Sequence, residues 1–402
     1  MTTRTELIAQ CKEKGIKGYT GKKKEDLLTL LSAPVSTIEH VEAVAAPVGA
    51  TTKKVRGQFY TTNNAYILSG LPGPPADARC VLEPFAGKGD LLDWLTTSHP
   101  EYTGPVEAYD IEPKRADIQK RDTLLTPPDY TNAWVLTNPP YLARNKSATK
   151  GLFDLYDMND LYKCFIMSLG GGARGGILLI PAGFFFSPRD IDVRCRDTFL
   201  SAYRIIRVKY FEEQVFDDTT TTIVAIAFEA RPDGVAHYTE QAVEWVRYPV
   251  GESRVFHIRK ANDWIIGGEV YQAPPALGPT VSVRRHVEGV PLRTGEHQTH
   301  LTLSALDSGT AGGEIALEYR PGYIYPAKDC SRTYATLRIS GRSALSEDEQ
   351  RALAADFNAF LATKRAELWS LFLPQYRESK EYARKRIPFE LAYTIVLHLL
   401  KT

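Results

Sequence analysis

Short apolar runs alternate with amphipathic stretches through the middle of the chain. The strand-like runs, which are mostly apolar and each about as long as a buried strand, occupy 80–82, 106–109, 134–136, 176–180 and 222–228. Helical character follows at 90–95 and again where Leu161, Phe165 and Leu169 recur every fourth residue. This alternation predicts a doubly wound α/β sheet, in which ligands bind at the carboxyl ends of the strands.

The pattern changes on both sides of this region. Two stretches with helical spacing, 5–11 and 22–31, are separated by glycine-containing turns and predict a small helical module. After 235, short strand-like runs such as 242–248 and 315–319 give way to helices from 346 onward. We therefore expect a helical module over 1–33, a linker rich in Ala, Val, Pro and Thr over 34–54, an α/β domain over 55–235 and an α+β domain over 236–402.

The composition excludes several classes of protein. Apolar residues make up 43% and charged residues 24% of the chain, as in soluble globular proteins. No apolar run reaches the roughly 18 residues of a membrane span, and we expect neither a span nor a secretory signal. The isolated cysteines form no C-x-x-C pair, so we expect reduced thiols, an intracellular, cytoplasmic location and no metal site. A net charge of +1 leaves DNA binding open, since one face can be basic.

The tetrapeptide Asn138-Pro139-Pro140-Tyr141 directly follows an apolar strand. An exocyclic amino group on a base is a poor nucleophile, because its lone pair is delocalised into the ring. The Asn138 side-chain oxygen and the Pro139 carbonyl can accept its two hydrogens and localise that lone pair. The two prolines stiffen the loop, and Tyr141 offers a flat face for an extruded base. An Asx-Pro turn followed by a core tyrosine is the structural alternative.

A glycine-containing loop precedes this motif in the chain. Residues 83–89, Glu-Pro-Phe-Ala-Gly-Lys-Gly, end a strand and begin a helix, and Gly87 and Gly89 allow a ligand to approach the backbone closely. The loop matches neither a P-loop nor a dinucleotide fingerprint. Asp110 ends the next strand, where a carboxylate can accept both hydroxyls of a ribose. Asp122 lies in a third loop, where it could accept from an adenine amino group.

The order of these motifs over about 58–228 resembles the gamma class of DNA amino-methyltransferases, which have cofactor motifs first, N-P-P-Y next and target recognition last. Gln58-Phe59-Tyr60-Thr61 is similar to the family's first cofactor motif, although Thr62 stands where the family usually has proline. The resemblance implies a Rossmann-like sheet that binds S-adenosylmethionine through Phe59, Tyr60, Thr61, Glu83, Pro84, Phe85, Ala86, Gly87, Gly89, Asp110, Ile111, Asp122, Thr123, Asn138 and Pro140. It also implies that Phe216 holds the flipped base opposite Tyr141.

Two further segments carry basic residues suited to DNA phosphates. The first module resembles a SAP domain, a small DNA-binding helical hairpin, through Leu7, Gly15, 21–23 and Leu27-Leu28, and this expectation places Lys22, Lys23 and Lys24 on phosphates. Near the C-terminus, basic residues alternate with Tyr376 and Tyr382, and we expect DNA contacts from Arg377, Lys380, Arg384, Lys385 and Arg386. Solvated helix surfaces are the alternative for both segments.

These inferences predict a monomeric enzyme that methylates adenine N6 in a short, palindromic sequence of double-stranded DNA. A cognate restriction endonuclease is an expected partner, and the SAP-like module suggests a virus-encoded enzyme. Four alternatives share some of the motifs: a cytosine N4 methyltransferase, an RNA methyltransferase, a protein-glutamine methyltransferase and a DNA-binding protein with a decayed active site. The intact acceptors and glycines argue against decay, and the long C-terminal region favours DNA.

Overall fold

A computed structural model describes residues 63–216, 221–232, 238–307, 314–378 and 383–401, with Leu7, Gln10, Leu28, Leu31 and Thr61. It contains two lobes, each with its own apolar core. None of the helices in these ranges is long and apolar enough to cross a membrane. The predicted SAP-like module and linker lie almost entirely outside the described residues, so those two expectations stay predictions.

The first lobe, called the sheet lobe, is built on a nine-stranded sheet. Its strands are β1 (Val81–Glu83), β2 (Val106–Asp110), β3 (Gln119–Lys120), β4 (Trp134–Thr137), β5 (Gly175–Pro181), β6 (Tyr203–Phe211), β7 (Ile223–Ala230), β8 (Glu240–Tyr248) and β9 (Glu252–Arg259). Their order is β3-β2-β1-β4-β5-β7-β6-β8-β9. The strands from β3 to β5 pair in parallel, whereas β7 is antiparallel to both of its neighbours. The predicted α/β sheet is therefore confirmed.

Helices connect these strands and cover the sheet. They are α1 (Asn64–Leu68), α2 (Asp90–Ser98), α3 (Gly151–Tyr156), α4 (Leu161–Ser168), α5 (Gly183–Phe186) and α6 (Asp190–Ala202). Each helix buries apolar side chains against the sheet, as Leu91, Trp94 and Leu95 of α2 show. The central strands β1 and β4 are buried along their whole length, as expected for parallel strands covered on both faces.

The strand order reverses direction between β1 and β4. From β1 the chain first moves outward through β2 and β3, and it then returns to add β4 and β5 on the other side. The register pairs Val81 with both Val106 and Trp134, so the carboxyl ends of β1, β2 and β4 lie side by side. In open α/β sheets, such a reversal leaves a crevice where ligands bind.

The sheet lobe extends further along the chain than the sequence predicted. We placed residues after 235 in a separate domain, but β8 pairs with β6 and β9 pairs with β8 in the same nine-stranded sheet. Trp264 and Ile266 also belong to the first core, whereas Val270 belongs to the second. The domain boundary at 235 was therefore wrong, and the lobes divide between 266 and 270.

The C-terminal lobe contains a four-stranded antiparallel sheet packed against two helices. Its elements are β10 (Ser282–Arg285), β11 (Glu296–Ser304), β12 (Ala316–Tyr319), β13 (Tyr334–Ser340), α7 (Glu347–Leu368) and α8 (Phe389–Leu399), with a hairpin of β14 (Gln375–Glu378) and β15 (Ala383–Lys385). The strand order is β10-β13-β11-β12. A capping box between Ser346 and Glu349 begins α7. This lobe has the predicted α+β character.

The two lobes share buried side chains. Trp369 and Leu371, which follow α7, belong to the core of the sheet lobe. The Trp369 ring lies 4.9 Å from the Arg247 guanidinium and 5.1 Å from that of Arg254. On another side of the junction, the buried Lys385 ammonium lies 4.5 Å from the Phe186 ring centre. The lobes are therefore packed together at several points.

Candidate functional site

Glu83 connects the two predicted motifs at the crevice between β1 and β4. Its side chain is fully buried, and its Oε1 accepts hydrogen bonds from the Thr137 hydroxyl at 2.6 Å and from the Phe85 amide at 3.0 Å. Its Oε2 is buried and has no hydrogen-bond partner within the described ranges. Burial raises the pKa of this carboxyl to about 8. An unsatisfied buried oxygen at a strand end indicates a place for a polar ligand group.

The cofactor loop, residues 84–89, is held against the neighbouring strand by short hydrogen bonds. The Ala86 amide donates to the Tyr109 carbonyl at 2.8 Å, and the Gly87 amide donates to Asp110 Oδ2 at 2.9 Å. Gly87 has φ of +55° and Gly89 has φ of +88°, a region that favours glycine. The other Asp110 oxygen accepts from the Glu112 amide at 2.7 Å. Asp110 therefore orders the loop in addition to any contact with a ribose.

The third predicted loop, which contains Asp122 and Thr123, contacts the cofactor loop through Thr123. The buried Thr123 hydroxyl donates to the Pro84 carbonyl at 2.9 Å, which joins the third predicted loop to the first. Asp122 Oδ1 accepts from the Leu124 and Leu125 amides at 3.1 and 3.2 Å. Directly after β2, Ile111 is 45% exposed. An exposed isoleucine at a strand end is suited to pack against a flat ring.

Asn138 lies at the carboxyl end of β4 and is half-buried. Its Nδ2 donates to the Thr61 hydroxyl at 3.2 Å, and its Oδ1 accepts from the Tyr141 hydroxyl at 2.5 Å. Thr61 is buried three residues before α1, whose end is held by the Lys209 ammonium bonded to the Tyr66 and Ser69 carbonyls. Burial lowers the pKa of Lys209 to about 8. The predicted cofactor motif at 58–61 and the tetrapeptide at 138–141 thus meet through the hydrogen bond between Thr61 and Asn138.

Tyr141 is less accessible than a simple stacking platform. The ring is only 9% exposed and packs edge-on against Tyr162, with 6.3 Å between ring centres. Its hydroxyl also lies 2.6 Å from the Leu179 carbonyl, which can accept the same hydrogen. Burial raises the pKa of Tyr141 well above its usual value, so this hydroxyl remains a donor. Access of a base to the Tyr141 face requires the neighbouring residues to move.

Asp160 supports the segment after the tetrapeptide, and we missed it in the sequence. Its Oδ1 accepts from the Leu142 amide at 3.1 Å, and Leu161 donates back to the Leu142 carbonyl at 3.2 Å. Burial raises the pKa of Asp160 to about 6. The only signal in the sequence was an acidic residue directly before an apolar helical stretch, a pattern also typical of ordinary helix starts.

The structure places several predicted site residues away from their predicted roles. Phe216 is 2% exposed and lies in the same apolar core as Tyr141, so its role in holding a base stays a prediction. Lys385 is 3% exposed, with its ammonium over the Phe186 and Tyr210 rings, and a direct phosphate contact from this position was wrong. Half-buried Arg384 donates to the Asp307 carbonyl at 2.9 Å, and Arg386 is also half-buried.

Other predicted residues cannot be placed. Six of them lie outside the described residues: Lys22, Lys23, Lys24, Phe59, Tyr60 and Lys380. For Arg377 the description covers the backbone alone. Within the described ranges, no cluster of three or more His, Cys, Asp or Glu side chains could hold a metal ion.

No protein-family model and no curated protein sequence matches the chain. Among solved structures, a modification subunit assigned to a type I restriction enzyme from Vibrio vulnificus is 16% identical, with 49% of this chain and 48% of that chain covered and a TM-score of 0.37. A type I restriction-modification methyltransferase subunit from Streptococcus thermophilus is 15% identical, with 48% of each chain covered and a TM-score of 0.36.

A third structure, from Listeria monocytogenes, is assigned to the class I S-adenosylmethionine-dependent methyltransferases. It is 13% identical, with 46% of this chain and 61% of that chain covered and a TM-score of 0.33. The chain thus spans about half the length of the first two structures. Such low TM-scores establish no relationship in function.

Proposed function

We propose that this protein transfers a methyl group from S-adenosylmethionine to the N6 amino group of adenine in double-stranded DNA. One observation carries the proposal. The hydrogen bond between Glu83 and Thr137 joins the end of β1, directly before the cofactor loop, to the end of β4, directly before Asn138, at the reversal point of the sheet. A ligand in this crevice would contact both motifs at once, as methyl transfer between two bound molecules requires.

The residues present fit S-adenosylmethionine. The Glu83 Oε2, which has no partner among the described residues, and the glycines at 87 and 89 suit its methionine part, and Asp110 suits its ribose. The exposed Ile111 suits its adenine ring, with Asp122 at the adenine amino group. When bound, S-adenosylmethionine supplies an electrophilic methyl group on a sulfonium. Thr61 would complete the site beside Asn138, together with Phe59 and Tyr60 of the predicted first motif.

The chain supplies acceptors for the target amine. Asn138 Oδ1 and the Pro139 carbonyl would accept the two N–H groups and hold the nitrogen lone pair toward the methyl group. Positive charge develops on that nitrogen during transfer, so acceptors fixed beforehand act mainly in the transition state. The prolines and the Asp160 contact to Leu142 keep this segment rigid on both sides.

Tyr141 offers a way to free the Asn138 oxygen without moving its own ring. A phenol has one hydrogen to donate, yet the Tyr141 hydroxyl has acceptors at 2.5 Å in Asn138 and at 2.6 Å in Leu179. Without a bound target base, the Tyr141 hydroxyl can therefore donate its hydrogen to Asn138 Oδ1. When a target amine arrives, rotation of the hydroxyl toward Leu179 would release the Asn138 oxygen for the amine.

The remaining parts of the proposal follow from the predicted organisation. The C-terminal lobe would read the DNA sequence, and the SAP-like module would add a second, nonspecific DNA contact. A restriction endonuclease acting on the same sequence would be a functional partner. The oligomeric state in solution stays a prediction.

The product decides the proposal directly. The purified protein is incubated with duplex DNA and S-adenosylmethionine, and the digested nucleosides are analysed by mass spectrometry. We expect N6-methyladenine. N4-methylcytosine would contradict the base assignment and keep the mechanism. Methylation only of RNA or of a protein glutamine would contradict the DNA substrate, and cofactor binding with no methylation of any acceptor would contradict the enzyme assignment.

A further inference from the structure

The sheet of the C-terminal lobe has two faces of different character. On one face, Leu337 and Ile339 of β13 pack into the core formed with α7 and α8. On the other face, the alternate residues Thr336 and Arg338 contact two long connecting segments, 286–295 and 320–333, called here the crossing segments. The Tyr325 amide donates to the Thr336 hydroxyl at 2.7 Å, and Arg338 Nη2 donates to the Val290 carbonyl at 2.7 Å.

Interior hydrogen bonds fix the crossing segments to the sheet and to each other. The buried Arg338 guanidinium also donates to the Pro291 carbonyl at 3.1 Å and lies 3.6 Å from the buried Glu296, which is paired with Arg284 as well. The Glu288 amide of the first segment donates to the Ala327 carbonyl of the second at 3.0 Å. Arg285 donates to the carbonyls of Asp329 and Ser331. The two segments therefore form one ordered outer surface.

The exposed side chains of this surface combine positive charge with large apolar groups. The two crossing segments contain four exposed basic residues and two acidic ones. The basic residues are Arg293, Arg320, Lys328 and Arg332, and the acidic residues are Glu288 and Asp329. Asp329 is already paired with Arg285, and Arg320 is paired with Glu318 of β12, so the basic side chains outside these pairs are Arg293, Lys328 and Arg332. Apolar side chains that are 40% to 49% exposed stand at Val290, Leu292, Tyr323, Ile324 and Tyr334, the last of these beginning β13. Folded proteins place such groups together at binding sites more often than on inert surfaces.

The crossing segments end close to the junction with the sheet lobe. Thr333, the last residue of the second segment, accepts from the Ala305 amide at 2.7 Å, and Ala305 accepts from the Ile387 amide at 2.9 Å. Two residues before Ile387, the Lys385 side chain packs on two aromatic rings. One is Phe186, which follows β5, and the other is Tyr210, near the end of β6. The carboxyl ends of these strands lie at the same edge of the sheet as Asn138, because β5 and β6 are both antiparallel to β7.

We propose that the crossing segments form the surface by which this protein binds and reads double-stranded DNA, an inference that rests on the proposed function. Phosphates would pair with Arg293, Arg332 and their basic neighbours. The exposed apolar side chains would contact base edges, such as thymine methyl groups, or separate adjacent base pairs. The ordered backbone keeps these groups in register with the duplex while the sheet lobe holds the target base.

The first test measures the salt dependence of DNA binding. Fluorescence anisotropy with a fluorescein-labelled duplex of mixed sequence compares the full chain with the double variant Arg293→Ala/Arg332→Ala. We expect weaker binding, with the slope of log Kd against log salt reduced by about 1 for each lost phosphate contact. The matched control, Arg351→Ala/Lys364→Ala, removes two positive charges from α7 behind the sheet and should leave the slope unchanged. Thermal unfolding verifies that all variants fold.

The second test concerns sequence reading. Methylated positions in bacterial genomic DNA are sequenced after treatment with the wild-type protein or with Tyr323→Ala/Ile324→Ala. We expect the preference for the best site over sites with one mismatch to fall roughly tenfold. If the wild type methylates DNA but the arginine variant keeps its salt slope and the Tyr323/Ile324 variant keeps its site preference, the crossing segments do not bind DNA. That result would leave the proposed function intact. If the wild type binds the cofactor but neither binds nor methylates DNA, the proposed function fails as well.

Discussion

At the scale of single residues, Asn138 concentrates the proposed chemistry. Asn138→Ala should lower turnover by about 10²–10³ while cofactor and DNA binding change little, because the lost acceptor acts in the transition state. Single-turnover kinetics and two binding titrations separate these quantities. Tyr141→Phe is the matched control, since it keeps the ring and removes the hydroxyl that bonds to Asn138 and Leu179. A large loss of cofactor affinity in Asn138→Ala would contradict the assignment.

Also at the residue scale, the raised pKa of Glu83 predicts that cofactor binding releases a proton. With its pKa raised to about 8 by burial, the carboxyl is mostly protonated at pH 7 in the free protein. A cationic methionine group bound beside Oε2 would stabilise the carboxylate and lower this pKa, so binding should release up to about one proton. Calorimetry in buffers with different ionisation enthalpies measures that number. Glu83→Gln should abolish the release, and equal proton numbers in both proteins would exclude Glu83 as its source.

At the scale of elements, Asp110 connects strand β2 to the cofactor loop. Both of its oxygens accept backbone amides, from Gly87 and Glu112, so Asp110→Ala should weaken cofactor binding and also lower the free energy of unfolding by about 1–3 kcal/mol. Denaturant unfolding and cofactor titration measure the two effects. Asp122→Ala is the comparison for stability, because among the described residues its carboxylate accepts only from amides of its own turn. Unchanged stability in Asp110→Ala would contradict this account.

The elements also show what the sequence could predict. The strands that end at Glu83 and directly before Asn138 were predictable, because parallel strands buried on both faces give continuous apolar runs. Strand β8 was assigned to the wrong lobe because its buried and exposed residues alternate, as in a strand that is covered on one face only. The position of Lys385 could not be predicted, since a basic residue near tyrosines suits a DNA surface as well as a buried contact with aromatic rings.

At the scale of the whole molecule, the predicted N-terminal module should act as a tether. Deleting residues 1–50 should weaken DNA binding and flatten its salt dependence while the methylated sequence stays the same, because a second contact raises effective concentration without reading bases. Anisotropy at several salt concentrations and sequencing of methylated sites measure both properties. A changed methylated sequence would show that the segment takes part in recognition.

The insertion of Trp369 into the core of the sheet lobe has a consequence for exchange of the C-terminal lobe. A chimera joined between 266 and 270 would replace Trp369, whose ring Arg247 and Arg254 contact, together with the buried Leu371. The recipient half would then have a hole that a donor half with a different side chain could not fill. Exchange of the whole C-terminal lobe would therefore disturb the core of the sheet lobe, whereas grafting the crossing segments alone would leave Trp369 and Leu371 in place.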